Sequence, residues 1–287
     1  MAAQGLRSYW SYWSFRSFRS FRKAWSVAGR IIGISFRAQL EYRTDFVLSV
    51  SVGAVWQVSV IVFATVLLGR FPGMSGWPSD AVLLIASMRM LSHALNVLFF
   101  GRAHHMAGLV QSGRIEGFLL RPLPVFRQVQ LSVFPTNALG DLVVGVSMFA
   151  IAVLTVSLDW TAVRIGYLAA GLVGGTLMEA AVFVALSALH FHYPSSSYWS
   201  VWTEELLATF GSYPLAIFPC LVSGAFTFVL PLSFIAYFPA AVLTGHDSEL
   251  GVPFAVAAGA PLTGLAAFVG ARLLWNRSLR HYTGVNG

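Results

Sequence analysis

The sequence is short of charge. Asp, Glu, Lys and Arg make up 10% of its 287 residues, while 57% are apolar. A soluble chain of this length carries about a quarter charged residues, so this one has too little charge to cover a water-facing surface. Lysine is scarcer still: Lys23 is the only one among 18 basic residues. A phosphate-cradling loop needs a lysine behind its glycines, and Lys23 follows Phe21-Arg22, so no ATP site is expected in this chain. Cysteine is reduced to Cys220, which excludes an internal disulfide and a cysteine-based zinc site. His-Glu-x-x-His and Gly-x-Ser-x-Gly are also absent, which weakens a lipid-modifying membrane enzyme. His104–His105 and His190/His192 have no carboxylate or Cys at ligand spacing and read as interfacial pairs. No catalytic, cofactor-binding or metal-binding residue is expected.

What the sequence has is long apolar runs. A spanning helix needs about 20 mostly apolar residues. Runs of that kind are predicted at about 46–68, 81–100, 132–157, 165–189, 214–230 and 252–275. The expected fold is all-α: a polytopic membrane protein with six transmembrane helices. The first run is too long for the apolar stretch of a cleavable signal. The fifth is irregular, because Pro214–Leu243 is uncharged but interrupted by Pro219, Pro231 and Pro239. Proline breaks helices, so 214–230 is expected to span and Pro231–Leu243, with Tyr237 and Pro239, to form a re-entrant piece. Such backbone must be buried in protein or line a wet cavity.

The net charge of +7 sits in terminal and loop segments, a pattern that suits a membrane surface and not nucleic acid. With the N-terminus inside, 15 of the 18 basic residues fall on the cytoplasmic side. Both termini are then cytoplasmic. The segment 190–213 gives this orientation no support, since it holds Glu204 and Glu205 and no Lys or Arg. Seventeen Arg against one Lys matches high-GC codon usage and a bacterial cytoplasmic membrane.

Residues 1–23 form a basic, aromatic tail with Ser-Tyr-Trp twice and Ser-Phe-Arg three times. It suits a headgroup anchor or a tail without a role. Over 24–43, Trp25, Ala28, Ile32 and Phe36 share one helical face and Lys23, Arg30 and Arg37 the other. That pattern predicts an amphipathic helix lying on the inner leaflet. At the far end, 278–287 is expected to be a cytoplasmic tail.

The stretch Arg102–Gln128 is the most informative. Met106, Leu109 and Val110 make one apolar turn, Gly113 interrupts it, and Ile115, Phe118 and Leu119 make another. Arg121-Pro122-Leu123-Pro124 then stops the helix. Two short amphipathic helices so punctuated suit a docking knob or a loop on the headgroups. The string Gly113-Arg114-Ile115-Glu116-Gly117-Phe118-Leu119-Leu120-Arg121-Pro122-Leu123 resembles the coupling-helix segment of ABC-2-type exporter permeases, in particular a bacterial subgroup of ABC transport permeases. Glu41–Phe46, Tyr213–Pro219 and Pro231–Ala240 agree in order and spacing, so the likeness runs from about residue 24 to 277. Glu116 stands where the subgroup carries Asp, which keeps the charge and lengthens the arm.

The resemblance implies a transmembrane domain over 24–277 with six spans, a coupling helix after the second and a re-entrant hairpin before the sixth. It also implies two permeases per exporter, as a homodimer or heterodimer, and two copies of a P-loop ATPase subunit that carry ATP and Mg. Alternating access would move the substrate. Arg89, Asp141 and Glu179 lie within spans, where an ionisable group is costly and usually faces a partner or a cavity. They read either as cross-helix pairs or as a substrate path. An ion-coupled secondary transporter or channel using the same three residues is the rival reading, although the repeats common in such transporters are not seen. Gly166, Ala170 and Gly174, with Gly171 and Gly175, sit at four-residue spacing and permit close helix contact, within the chain or across a dimer.

Overall fold

The computed structural model describes residues 29–30, 33–70, 76–193, 196–246 and 250–284. The tail at 1–23 and residues 24–28 and 31–32 of the amphipathic segment lie outside them. Among the described residues all regular structure is helical and none is strand. Residues 33–41 are helical and Tyr42 is a bend. Phe36 then meets Phe46 and Phe134 edge-on, with ring centroids 6.1 and 5.2 Å away. The bend thus pins this segment to the start of the first long helix.

The long helices are α1 (Arg43–Arg70) and α2 (Ser79–Phe100). Three short helices follow: α3 (Met106–Gln111), α4 (Arg114–Leu119) and α5 (Val125–Leu131). Then come α6 (Asn137–Thr155), α7 (Ala162–Leu189) and α8 (Ser197–Phe210). The chain ends with α9 (Cys220–Phe228), α10 (Tyr237–Thr244), α11 (Phe254–Ala258) and α12 (Ala260–Arg280). Three stretches are long and apolar enough to cross a membrane among the described residues: Ser79–Gln111, Asn137–Thr155 and Ala162–Leu189.

Glycines set how closely these helices pack. A Cβ on Gly53 would lie 2.3 Å from the Asn137 carbonyl oxygen, and one on Gly140 2.0 Å from that of Val50. Helices α1 and α6 therefore touch backbone to backbone. The same holds for α7 and α12, where a Cβ on Gly264 would lie 2.1 Å from the Gly174 carbonyl oxygen. Of the four-residue glycine rows in α7, Gly174 and Gly175 make close contacts within the chain, while Gly166 faces open space. Small residues permit this approach in membrane helices.

Two boundaries differ from expectation. The segment 214–230 is not one spanning helix. It is a 3-10 turn at Leu215–Ile217 followed by the nine-residue α9, which at about 1.5 Å per residue covers about half of a ~30 Å bilayer core. Pro214 and Pro219 each precede a new helix start, and Pro219 has no N–H with which to join the two. The helix upstream of it is α8, within a segment expected to be a cytoplasmic loop. The Leu207 carbonyl of α8 accepts a hydrogen bond of 3.3 Å from Arg89 Nε, so the end of α8 lies level with the middle of α2. At the C-terminus, the expected tail boundary at 278 falls inside α12, where Ser278 and Leu279 are buried.

Residues 231–244 are packed inside the chain. Pro231 starts a 3-10 turn at Leu232–Phe234, and α10 follows with Pro239 in its first turn, where no helix hydrogen bond is lost. Every residue from Leu232 to Ala241 is buried. Trp77 lies against Tyr237 and stacks on His246, with ring centroids 5.4 and 4.5 Å away. Pro239 approaches Gly171, where a Cβ would meet the proline Cβ at 3.0 Å.

Candidate functional site

Arg89, His93 and Asn96 recur at four- and three-residue steps on α2 and so share one face. Glu179 of α7, fully buried, meets that face. Its Oε1 lies 2.6 Å from His93 Nδ1 and its Oε2 3.5 Å from Arg89 Nη1. The Arg89 contact is a charge contact, since Oε2 accepts no hydrogen bond. Of the two acids within reach of sequence reasoning, Glu179 is the one brought to Arg89. Asp141 of α6 is not salt-bridged to it.

A second group lies toward the 101–105 end of α2. The His104 ring stacks on Phe183, with centroids 3.6 Å apart. Its Nε2 is 3.3 Å from Asn96 Nδ2, and its Nδ1 is 3.6 Å from Glu204 Oε2 on α8. His190 binds Ser196 and Ser200 through its two ring nitrogens, at 2.7 and 3.0 Å. Beside His104 opens a cleft of about 480 Å³, whose lining includes Trp56, His93, His104, Asp141, Glu204 and Glu205. Asp141 is 3% exposed, and among the described residues it has no hydrogen-bond or ion-pair partner.

The roles of His93, His104 and Glu204 were missed from sequence. The available signals were the spacing of His93 one turn after Arg89 and the acidic pair in a segment that broke the charge rule. A loop on the cytoplasmic side should carry Lys or Arg; one with only Glu204 and Glu205 was a helix facing polar partners.

The knob between α2 and α6 is built from the inside outward. Met106, Leu109, Val110 and Ile115 are buried in the core. Gly113 adopts φ 66°, a left-handed conformation that favours glycine and lets α4 turn back from α3. Gln128 Nε2 donates to the Phe118 and Leu123 carbonyls at 3.0 and 2.7 Å, stapling the return segment of the knob. Phe118 is half-buried beneath the Arg121 guanidinium, 5.7 Å from its ring centroid. Arg114, Glu116, Gly117, Leu119, Leu120, Arg121 and Pro122 remain exposed, Leu120 at 88% against 39% for Leu119. The apolar tip is therefore Leu119 and Leu120, not Ile115.

Residues 54–286 match the family described as ABC-2 family transporter protein. The chain belongs to that family. No curated protein and no solved structure matches it. Membership makes it an ABC transporter permease, a membrane protein of transmembrane transport that works with an ATPase subunit. Within the ABC-2 permease, the knob sits at one end of the helices. The C-terminal end joins it there: a Cβ on Gly284 would lie 3.4 Å from Glu116 Oε1. Trp275 and Tyr282 brace the same end through Phe126 and Phe191, with ring centroids 5.2 to 5.6 Å apart. Arg272 lies over Phe126 at 3.6 Å.

Proposed function

We propose that this chain is the permease of an ATP-driven exporter in the bacterial cytoplasmic membrane. It crosses six times, the fifth crossing being split between α8 and α9, with both termini in the cytoplasm. ATP and Mg stay on the partner, and two ATPase copies dock on knobs running from Gly113 to Pro122, one from each of two permeases. Binding and hydrolysis move the knobs, and the permease pair alternates between inward and outward access. No covalent chemistry is performed by this chain.

One observation carries the docking role. Leu120 stands 88% exposed at the tip of a knob whose backbone is stapled from beneath by Gln128. An exposed leucine on a rigid, charge-rimmed projection is what a partner groove buries. Gly284 lies beside Glu116, so the last described residues share a face with the knob, and the basic residues of the first 45 positions support reading that face as cytoplasmic.

The test is co-purification of the tagged chain from its native membranes in mild detergent, with Leu120→Glu as the variant. The expected result is a P-loop ATPase in stoichiometric yield with wild type, and about tenfold less with Leu120→Glu, the loss that ~1.4 kcal/mol of anchor energy produces. Equal ATPase yield with both chains would refute the docking role.

A further inference from the structure

The cleft between α1, α2, α6 and α8 has no assigned ligand, and its chemistry selects one. Three carboxylates line it, Asp141, Glu204 and Glu205, against one guanidinium, Arg102, and the imidazoles of His93, His104 and His105. His104 faces Glu204 at 3.6 Å, and the Nδ1 of His93 is engaged by Glu179. Asp141 is left at 3% exposure without a partner among the described residues. His93 and Arg89 act on it only from a distance, without a direct hydrogen bond or ion pair; a buried carboxylate so placed is costly to hold, and a ligand that brings a positive charge into contact lowers that cost. Trp56 and Phe134 add aromatic faces, Trp being the strongest cation–π partner. Val52, Val97 and Val201 supply an apolar wall. The volume of about 480 Å³ is within the ~300–1,000 Å³ typical of small-molecule sites.

We infer that this cleft is the loading site of the permease for an amphiphilic organic cation. The cationic centre pairs with Asp141 and the face of Trp56, and the apolar body lies on the valine wall. The site adjoins residues 101–105, the link between α2 and the knob, so a substrate there loads from the knob side of the membrane. This inference names the substrate class of the exporter proposed above and rests on that reading.

The test uses the full chain in lipid nanodiscs without ATPase. Radiolabelled tetraphenylphosphonium is the probe and tetraphenylborate its shape-matched anion. The expected result is saturable phosphonium binding that tetraphenylborate does not displace. Asp141→Asn should weaken it about tenfold, as loss of one charge-assisted contact predicts. Glu205→Gln, on an exposed residue where folding is not at stake, should weaken it about twofold. No saturable binding, displacement by tetraphenylborate at equal concentration, or unchanged affinity in both variants would each overturn the inference. Because binding is read without ATPase, those failures leave the permease reading to the co-purification result alone.

Discussion

Removing one partner of the Arg89–Glu179 pair is the sharpest test of the buried charge network. Arg89 is 4% exposed and Glu179 is fully buried, so neither charge has water to fall back on. In Glu179→Leu, Arg89 keeps the Leu207 carbonyl at 3.3 Å but loses its counter-charge, and His93 loses its 2.6 Å partner. Breaking a buried pair from one side costs about 3–5 kcal/mol, while replacing both sides by apolar groups of similar volume is often neutral. At about 2–4 °C per kcal/mol for a chain of this size, the single change should lower the thermal midpoint by on the order of 10 °C. The double variant Arg89→Met/Glu179→Leu should recover most of that loss. Thermal unfolding of the detergent-purified chain, followed by tryptophan fluorescence, measures both. A single variant as stable as wild type, or a double variant no better than the single, would refute the idea that each charge is held by the other.

Two further perturbations follow from the packing. Gly174→Val places a side chain where even a Cβ lies 2.4 Å from Pro261 Cα; α7 and α12 must separate, and the yield of monodisperse protein should fall sharply while Gly166→Val, facing open space, leaves it unchanged. Gln128→Ala removes both carbonyl staples of the knob. At about 1 kcal/mol per bond it should cost ~2 kcal/mol locally, read as faster amide exchange over 118–123 with the rest of the chain unaffected.

Where the sequence could be read, a single physical signal spoke plainly. The segments at 81–100 and 165–189 carry only Arg89 with His93 and Glu179, respectively, as charged or histidine residues in a long apolar run, and both are helices close to those limits. Gly113 and Pro124 punctuate the knob as their backbone preferences require, one with positive φ and the other at the start of α5. The fifth segment was misread because two signals conflicted. Uncharged residues over 214–230 looked like a span, although three prolines divide the longer run from 214 to 243. Charged residues over 197–210 looked like a loop, although that segment folds as a helix. Hydropathy scores side chains one at a time and cannot register that Glu204 faces His104. Likewise, spacing groups Phe118 with Ile115 and Leu119 on one apolar turn, but the turn after Leu119 leaves Phe118 under Arg121 and Leu120 outward.

The two regions described above share one residue. His104 lies two positions before α3, where the knob begins, and its ring is clamped on Phe183 of α7 while its nitrogens face Asn96 of α2 and Glu204 of α8. Three helices and the knob therefore meet at a single imidazole. Packed interiors of this density shift between discrete arrangements instead of stretching, so a displaced α3 either carries the His104 ring with it or breaks the stack. In both cases Glu204 loses its present partner at the mouth of the cleft that Asp141 lines. Under the proposed roles, a docking event at Leu120 and a charged ligand at Asp141 would not be independent in this geometry. Each would act on the position of Glu204, one through the knob and the other through charge, which is the physical requirement for coupling ATP use to a loaded substrate.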